Sequence, residues 1–294
     1  MKILAVSRGE NFSPNLVDND AKILAAVVGG LRECGHNVVN ITESDLIDGN
    51  VPSGCKLIVN MCRDSRSLSI LSRMESEGSI VINSPQGIAN CNRECLTRLL
   101  LDAGVPHPDS LIVNTSEAIG QRLNIGGYTD CWVKRADCQT MQKDDVVFCR
   151  GIDDAERVIA DYRLRGIERA VISKHLEGDL VKFYGVENSD FFCWFYPFDR
   201  GHSKFGYEEI NGKSQGIEFD LTKLRKICSL AARTLRVVVY GGDAVIAADG
   251  SIRIIDFNDW PSFSPCREEG ARAIVQSIES IIYEIQQRRI SVNA

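Results

Sequence analysis

Residues 240–265 read YGGDAVIAADGSIRIIDFNDWPSFSP, and the folding of this stretch decides the architecture. Residues 243–247 and 251–257 alternate and are rich in β-branched side chains, so each reads as a strand. Asp249-Gly250 between them signals a hairpin, because a two-residue type I′ turn needs positive φ at both positions. Such a turn sets the register, with 248 facing 251, 245 facing 254 and 243 facing 256. Asp243 then lies opposite Asp256, with Cβ atoms about 5 Å apart. Asn258 shares that face with Val245, Ala247, Ile252 and Ile254. Two facing carboxylates repel, and burying either without compensation is costly. A solvated acidic hairpin end satisfies them, and so does a divalent cation. Hard cations such as Mg²⁺ take carboxylate oxygens together with substrate phosphates, and the Asn258 amide would add a ligand without charge. The spacing leaves both readings open.

Upstream, strands are expected at 2–7, 37–41, 56–61 and 80–83, with helices at 21–34 (capped by Asp20, stopped by Gly35) and 65–77. This alternation argues an α/β domain on a parallel sheet. Ligands bind beyond the carboxyl ends of such strands, which points to the loop from Arg8 and to Asn60–Arg63. A new module starts near Ser84-Pro85. A helix at 93–103, with Asn92 as its cap, runs into the rigid linker Val105-Pro106-His107-Pro108. Strands at 111–113, 131–134, 146–149 and 170–174 then mix with helices at 116–123 and 153–165. Residues 180–186 and 191–197 read as an antiparallel pair. Residues 198–216 are polar and glycine-rich, a mobile loop by composition. A helix at 219–236 precedes the acidic hairpin, and a helix at 268–289 follows it. The expected division is 1–85, 86–175 and 176–294.

The 294 residues suffice for one large domain or two to three small ones. With 44% hydrophobic and 25% charged residues, the composition is that of a soluble globular protein. A net charge of -6 and the lack of a Lys/Arg block argue against nucleic acid as a partner. No apolar run approaches membrane-spanning length, and the apolar run at the start, MKILAVSRGE, is too short for a signal peptide. The 11 Cys form no CxxC pair and read as free thiols in a reducing cytoplasm. Trp132 and Phe183 read as core residues. A homodimer is the base-rate expectation.

Walker A, GxGxxG, HExxH and GxSxG patterns are all missing. What is present is an ordered set: a strand ending in Lys134, a strand ending in Lys174, Lys182 on the next, then the acidic hairpin. A strand-end lysine can meet a phosphate as a point charge. This order, from about residue 81 to the end, resembles the ATP-grasp superfamily, which includes D-alanine–D-alanine ligase, glutathione synthetase and ribosomal-protein glutamate ligases. INSPQGIANCNREC (82–95) is similar to the family segment that leads into the ATP module. VKR (133–135) is similar to its valine-lysine-proline strand, SKHLEG (173–178) to its adenine hinge, and GGDAV with DFNDWPS to its metal motif.

The resemblance implies an ATP-grasp fold behind an N-terminal α/β parallel-sheet domain. It implies that Arg93 and Lys134 contact ATP phosphates and that Lys174, His175, Leu176 and Glu177 form the adenine hinge. Lys182 would lie near the transferred phosphate. Asp243, Asp256 and Asn258 would hold Mg²⁺, with Mn²⁺ as the alternative ion. Two departures stand out. The family's glycine-rich loop is replaced by ADCQTMQKDD (136–145), where Lys143 is the substitute cation. Leu180 falls where a ribose-binding acid is common, with Asp179 and Glu177 beside it. The implied activity is ATP-dependent carboxylate–amine or carboxylate–thiol ligation through an acyl phosphate, releasing ADP and phosphate. The rivals are nucleotide binding without ligation and phosphoryl transfer to a non-carboxylate acceptor. Arg63 is the candidate grip for a small-molecule or peptide carboxylate, since a guanidinium binds one bidentately. Arg267 and Arg272 are its alternatives. Substrate choice falls to loops 8–19, 60–66 and 198–216.

Overall fold

The computed structural model describes residues 1–12, 17–137, 142–198 and 208–293, of which 208, 209 and 288–293 are described by backbone alone. Strands β1 (Lys2–Ser7), β2 (Asn37–Thr42), β3 (Leu57–Asn60) and β4 (Ile80–Ile82) form a parallel sheet in the order β2-β1-β3-β4. Helix α1 (Val17–Glu33) covers one face. The short α2 (Glu43–Ile47) and α3 (Ser65–Ser76) cover the other. Burial on both faces explains why β1 and β3 are continuous apolar runs. Helix α2 was not expected from the sequence, yet Thr42 and Asp45 form a reciprocal capping box at its start, a pattern legible as T-x-x-D.

Helices α4 (Pro85–Asn90) and α5 (Arg93–Asp102) lead out of this domain. Asn92 takes the cap position of α5 with extended backbone, but its side chain makes no capping hydrogen bond. The second sheet is antiparallel, in the order β5 (Ser110–Asn114), β8 (Arg169–Lys174), β6 (Asp130–Arg135), β7 (Val146–Arg150). Helices α6 (Gly120–Ile125) and α7 (Ile152–Leu164) pack on one face against Cys131, Val133, Ala170 and Ile172. Trp132, Lys134 and Ser173 alternate onto the other face and line a cleft.

The third sheet runs β10 (Phe192–Phe195), β9 (Asp179–Val186), β11 (Val239–Ile246), β12 (Ile252–Asp259), again antiparallel. Its back packs on α5 and α9 (Leu221–Leu235) through Leu96, Phe183, Leu224, Ala231 and Phe257. The short α8 (Glu208–Asn211) precedes α9. Residues 199–207 of the loop expected at 198–216 lie outside the described residues, as do 13–16 of the loop expected at 8–19. The last helix, α10 (Arg267–Asn293), returns to the first domain: Ile274, Ile278 and Ile282 share a core with Ile23, Val27 and Leu31 of α1 and with Ile3 and Val59. First and third sheets are therefore joined through one apolar core. Buried Asn83 reinforces the joint. It accepts from Val238 N and Val239 N at 2.8 and 2.9 Å and donates to Val239 O at 2.7 Å. The ten described cysteines are free thiols, and no helix among the described residues is long and apolar enough to cross a membrane.

The hairpin β11–β12 pairs Asp243 with Asp256, but by a different route from the expected one. The loop has three residues, closed by Ala247 N to Ser251 O at 2.9 Å, and positive φ falls on Gly250 alone. That arrangement, a turn followed by a left-handed glycine, starts the register one residue off. Ile246 faces Ile252 and Ala244 faces Ile254; a bulge between Asp243 and Ala244 then restores the pairing of 243 with 256. In consequence Ile252 and Ile254 turn into the core, and Ile255 joins Val245 and Asp256 on the cleft face.

Strand β11 closes on its neighbours only because Gly242 carries no side chain. A Cβ there would stand 2.3 Å from Asp256 O and 2.7 Å from Phe183 Cζ. Gly242→Ala should therefore lower stability by about 3 kcal/mol in urea unfolding. Gly29→Ala on α1, where a Cβ meets nothing within 4 Å, should raise it by about 0.5–1 kcal/mol. Equal unfolding midpoints for the two variants would contradict this packing.

Candidate functional site

The second and third sheets face each other across a cleft that opens to solvent. One wall carries Trp132, Lys134, Val146 and Ser173. The other carries Leu180, Asp243, Val245, Ile255 and Asp256. Arg93 stands at one end, and Lys174, His175, Leu176 and Asn211 at the other.

Arg93 begins α5 and is 7% exposed; its guanidinium donates to Arg135 O at 2.7 Å. Lys134 donates through Nζ to Ile255 O at 3.1 Å, the carbonyl turned outward where the bulge interrupts β12. Burial, with Arg93 close by, lowers the Lys134 pKa to about 8, while Asp256 and Asp243 oppose that fall. Lys182 Nζ donates to Asp243 Oδ1 at 2.5 Å. Asn258 Nδ2 donates to Asp256 Oδ2 at 3.1 Å. Burial raises the Asp256 pKa, but Arg93, Lys134, the Asn258 hydrogen bond and Lys182 outweigh it and hold the value below the ordinary one. Asp256 is thus kept ionised in a half-buried place. Three cations (Arg93, Lys134, Lys182) against two carboxylates (Asp243, Asp256) leave one positive charge, a local excess that suits an anion.

Among the described residues no group of three or more His, Cys, Asp or Glu could hold a metal ion. A cation at this hairpin would rest on two carboxylates and the Asn258 amide. That all-oxygen set is incomplete without further oxygens, and it fits a hard divalent ion carrying phosphate oxygens and water.

At the opposite end, His175 N donates to Asp130 O at 2.9 Å, and Trp132 Nε1 lies 3.1 Å from His175 Nδ1. Indole N–H is a donor only, so Nδ1 accepts and the neutral ring carries its proton on Nε2. Burial lowers the His175 pKa, favouring that neutral form. Trp132, expected in the core, is instead part of the cleft wall, beside Phe148 at 5.2 Å between centroids. Phe183 is core, as expected.

Among solved structures, a D-alanine–D-alanine ligase from Bacillus anthracis complexed with ATP matches at a TM-score of 0.69, covering 99% of this chain and 99% of that one at 13% identity. A RimK domain protein ATP-grasp from Sphaerobacter thermophilus matches at a TM-score of 0.67 and 16% identity, covering 94% and 98%. The chain has the ATP-grasp fold. The ATP-grasp ligase PsnB, complexed with precursor peptide PsnA2 and AMPPNP, matches at a TM-score of 0.62 and 18% identity, over 94% and 98%. No protein-family model and no curated sequence matches.

Of the residues singled out from sequence, the ATP-grasp cleft brings together Arg93, Lys134, Asp243 and Asp256, with Lys182 and Asn258 bonded to its acids. His175 and Leu176 line its far end. Others go elsewhere. Lys174 borders the cleft, but its ammonium bonds Asp109 Oδ2 at 2.9 Å and sits over the Tyr128 ring. Asp179 is 2% exposed and accepts from Gln215 N and Ile217 N at 2.7 and 2.8 Å, so it fastens the chain entering α9. Glu177 is exposed, and Leu180 occupies the wall instead. Arg272 is 72% exposed beside Glu269 on α10, away from the cleft. Arg267 bonds Asn19 Oδ1 at 2.9 Å. Arg63 donates to Asp259 Oδ1 at 3.1 Å, so the guanidinium expected to grip substrate is engaged by the protein's own carboxylate. In the glycine-free loop 136–145, residues 138–141 lie outside the described residues, and Lys143 begins a short 3₁₀ turn.

Sequence reasoning missed a buried group beside the hairpin. Arg8 donates to Asp20, Met61 O and Trp260 O. Glu43, 2% exposed, accepts from Gly9 N, Arg63 N, Asp64 N and Ser67 Oγ at 2.6–2.8 Å. The loops after β1 and β3 are thereby fixed by one carboxylate. Their position at strand carboxyl ends was a signal for Arg8 and Arg63; nothing local marked Glu43.

His107, in the linker beside the cleft, is 7% exposed, and burial lowers its pKa from 6.5 to about 4. A depressed pKa means that the folded state prefers the neutral ring. Above about pH 6.5 the ring is neutral in both states and costs nothing; as pH falls towards 4 the unfolded chain takes up the proton first, which costs about 3 kcal/mol of stability. Melting temperatures between pH 7 and pH 4 should therefore fall less steeply for His107→Gln than for the unaltered chain.

Proposed function

We propose that this protein is an ATP-dependent ligase that activates a carboxylate as an acyl phosphate and passes the acyl group to an amine or thiol, releasing ADP and phosphate. The observation that carries this reading is the convergence of Arg93, Lys134 and Lys182 upon Asp243 and Asp256 at one end of an ATP-grasp cleft. Phosphoryl transfer is catalysed chiefly by positioning and by stabilising the charge on the transferring group. The known relatives by fold support it: one is complexed with ATP, and PsnB is complexed with Mg and ADP.

In this reading the nucleobase lies by His175 and Leu176, between Trp132 and the Leu180 wall. Arg93 and Lys134 neutralise phosphate oxygens, each held by a backbone carbonyl that fixes its direction. Lys182 bridges from Asp243 towards the terminal phosphate. Asp243, Asp256 and Asn258 would hold Mg²⁺, which supplies Lewis-acid charge to the phosphates when bound. The acid attacks the terminal phosphorus in line, and the resulting acyl phosphate is opened by the second substrate. Arg63 is not assigned the carboxylate, because Asp259 already holds it.

Two outcomes follow. With Mg²⁺ and ATP, the melting temperature should rise for the unaltered chain and for Gly29→Ala, but not for Asp256→Asn. With a cognate acid and hydroxylamine, hydroxamate and ADP should form in equal amounts, and Asp256→Asn should abolish both. AMP as the nucleotide product would replace acyl phosphate formation by adenylation. Nucleotide binding without turnover of any acid would leave a binding protein.

A further inference from the structure

Asn258 is followed at once by two residues in unusual settings. Asp259 is a carboxylate that is 1% exposed. Trp260 is fully buried, with φ at +32°, a backbone region that bulky residues rarely occupy and keep only when their surroundings impose it. Part of that imposition comes from within the sheet, where Trp260 N donates to Val239 O at 3.0 Å. The rest comes from the N-terminal domain. Arg8 donates to Trp260 O at 2.9 Å, and Arg63 donates to both Asp259 Oδ1 and Asp259 O, at 3.1 and 3.3 Å.

These two guanidiniums are not loosely held. Arg8 is anchored at Asp20 and at Met61 O, and its side chain is 6% exposed. The backbone on either side is set by Glu43, which takes the N–H of Gly9, Arg63 and Asp64. Removing the Glu43 carboxylate would release both loops together. The N-terminal domain thus places two planar, hydrogen-bonding cations on consecutive residues directly after Asn258.

We infer that Arg8 and Arg63 are positioning residues that hold the exit of the hairpin at Asp259 and Trp260, so that Asn258 stays aligned with Asp256 for a divalent cation. This rests on the reading of Asp243, Asp256 and Asn258 as the cation site. Neither arginine lines the cleft. Their effect is on the affinity of the cation, because partners that orient metal ligands contribute about 10–100-fold when removed.

The test is the gain in AMPPNP affinity on going from EDTA to saturating MgCl₂, measured by titration calorimetry on the full chain. For Arg8→Met and Arg63→Met the gain should shrink by about tenfold or more, with affinity in EDTA unchanged. Breaking one partner of a buried pair can unfold a protein. The charge-balanced double variant Arg63→Met/Asp259→Leu and the conservative Arg63→Lys therefore accompany them, and circular dichroism establishes which are folded. The double variant should lose the gain, and Arg63→Lys should recover part of it. A purely structural role would lower melting temperature and leave the gain intact, which in any folded variant overturns the inference. Asp256→Asn separates the two levels. If it abolishes the gain while the arginine variants keep it, the inference alone falls. If it too keeps the gain, the cation site is elsewhere and both fall.

Discussion

Two carboxylates facing each other across one strand pair set the terms for everything around them. Asp243 and Asp256 cannot both be ionised in a half-buried cleft unless positive charge surrounds them. Lys182 on β9, Lys134 on β6 and Arg93 at the start of α5 supply it from two sheets and a helix. The fold brings these elements to one place, and the acids in turn make close packing of three cations tolerable. Lys134 shows the balance most plainly: burial and Arg93 push it towards neutrality, and the two aspartates push it back.

What was legible in the sequence was local and periodic. Lys134 was read as the cation at the end of β6, and it does line the cleft, whereas Trp132, read as core, lines the same wall. The burial of Trp132 was misjudged because an aromatic on a strand is equally at home in a core or on a cleft wall. The pairing of Asp243 with Asp256 was reached through two irregularities that cancel, a three-residue loop and a bulge. Neither is written in the residues 249 and 250, since Asp-Gly suits both a two-residue turn and the end of a three-residue one. The faces of Ile252, Ile254 and Ile255 differ from expectation for the same reason.

What was not legible was long-range partnership. Lys174, Asp179 and Arg63 carry the right chemistry for binding, yet Asp109, the 215–217 backbone and Asp259 engage them first. Such competition is decided by groups up to 196 residues away in the chain, and no spacing rule reports it. Glu43 is the extreme case. Its role comes entirely from four donors brought to it by two loops and the start of α3.

The return of α10 to the first domain has a further consequence. Residues 1–82 and the third sheet share one apolar core, while the second sheet keeps its own with α6 and α7. Its connections to the rest are the rigid Val105–Pro108 segment, the His175–Gly178 segment and polar contacts such as Lys134 with Ile255 O and Arg169 with Glu94. By apolar packing, the second sheet stands apart from the other two. Amide exchange should accordingly separate the second sheet, with α6 and α7, from the part of the molecule that holds the first and third sheets.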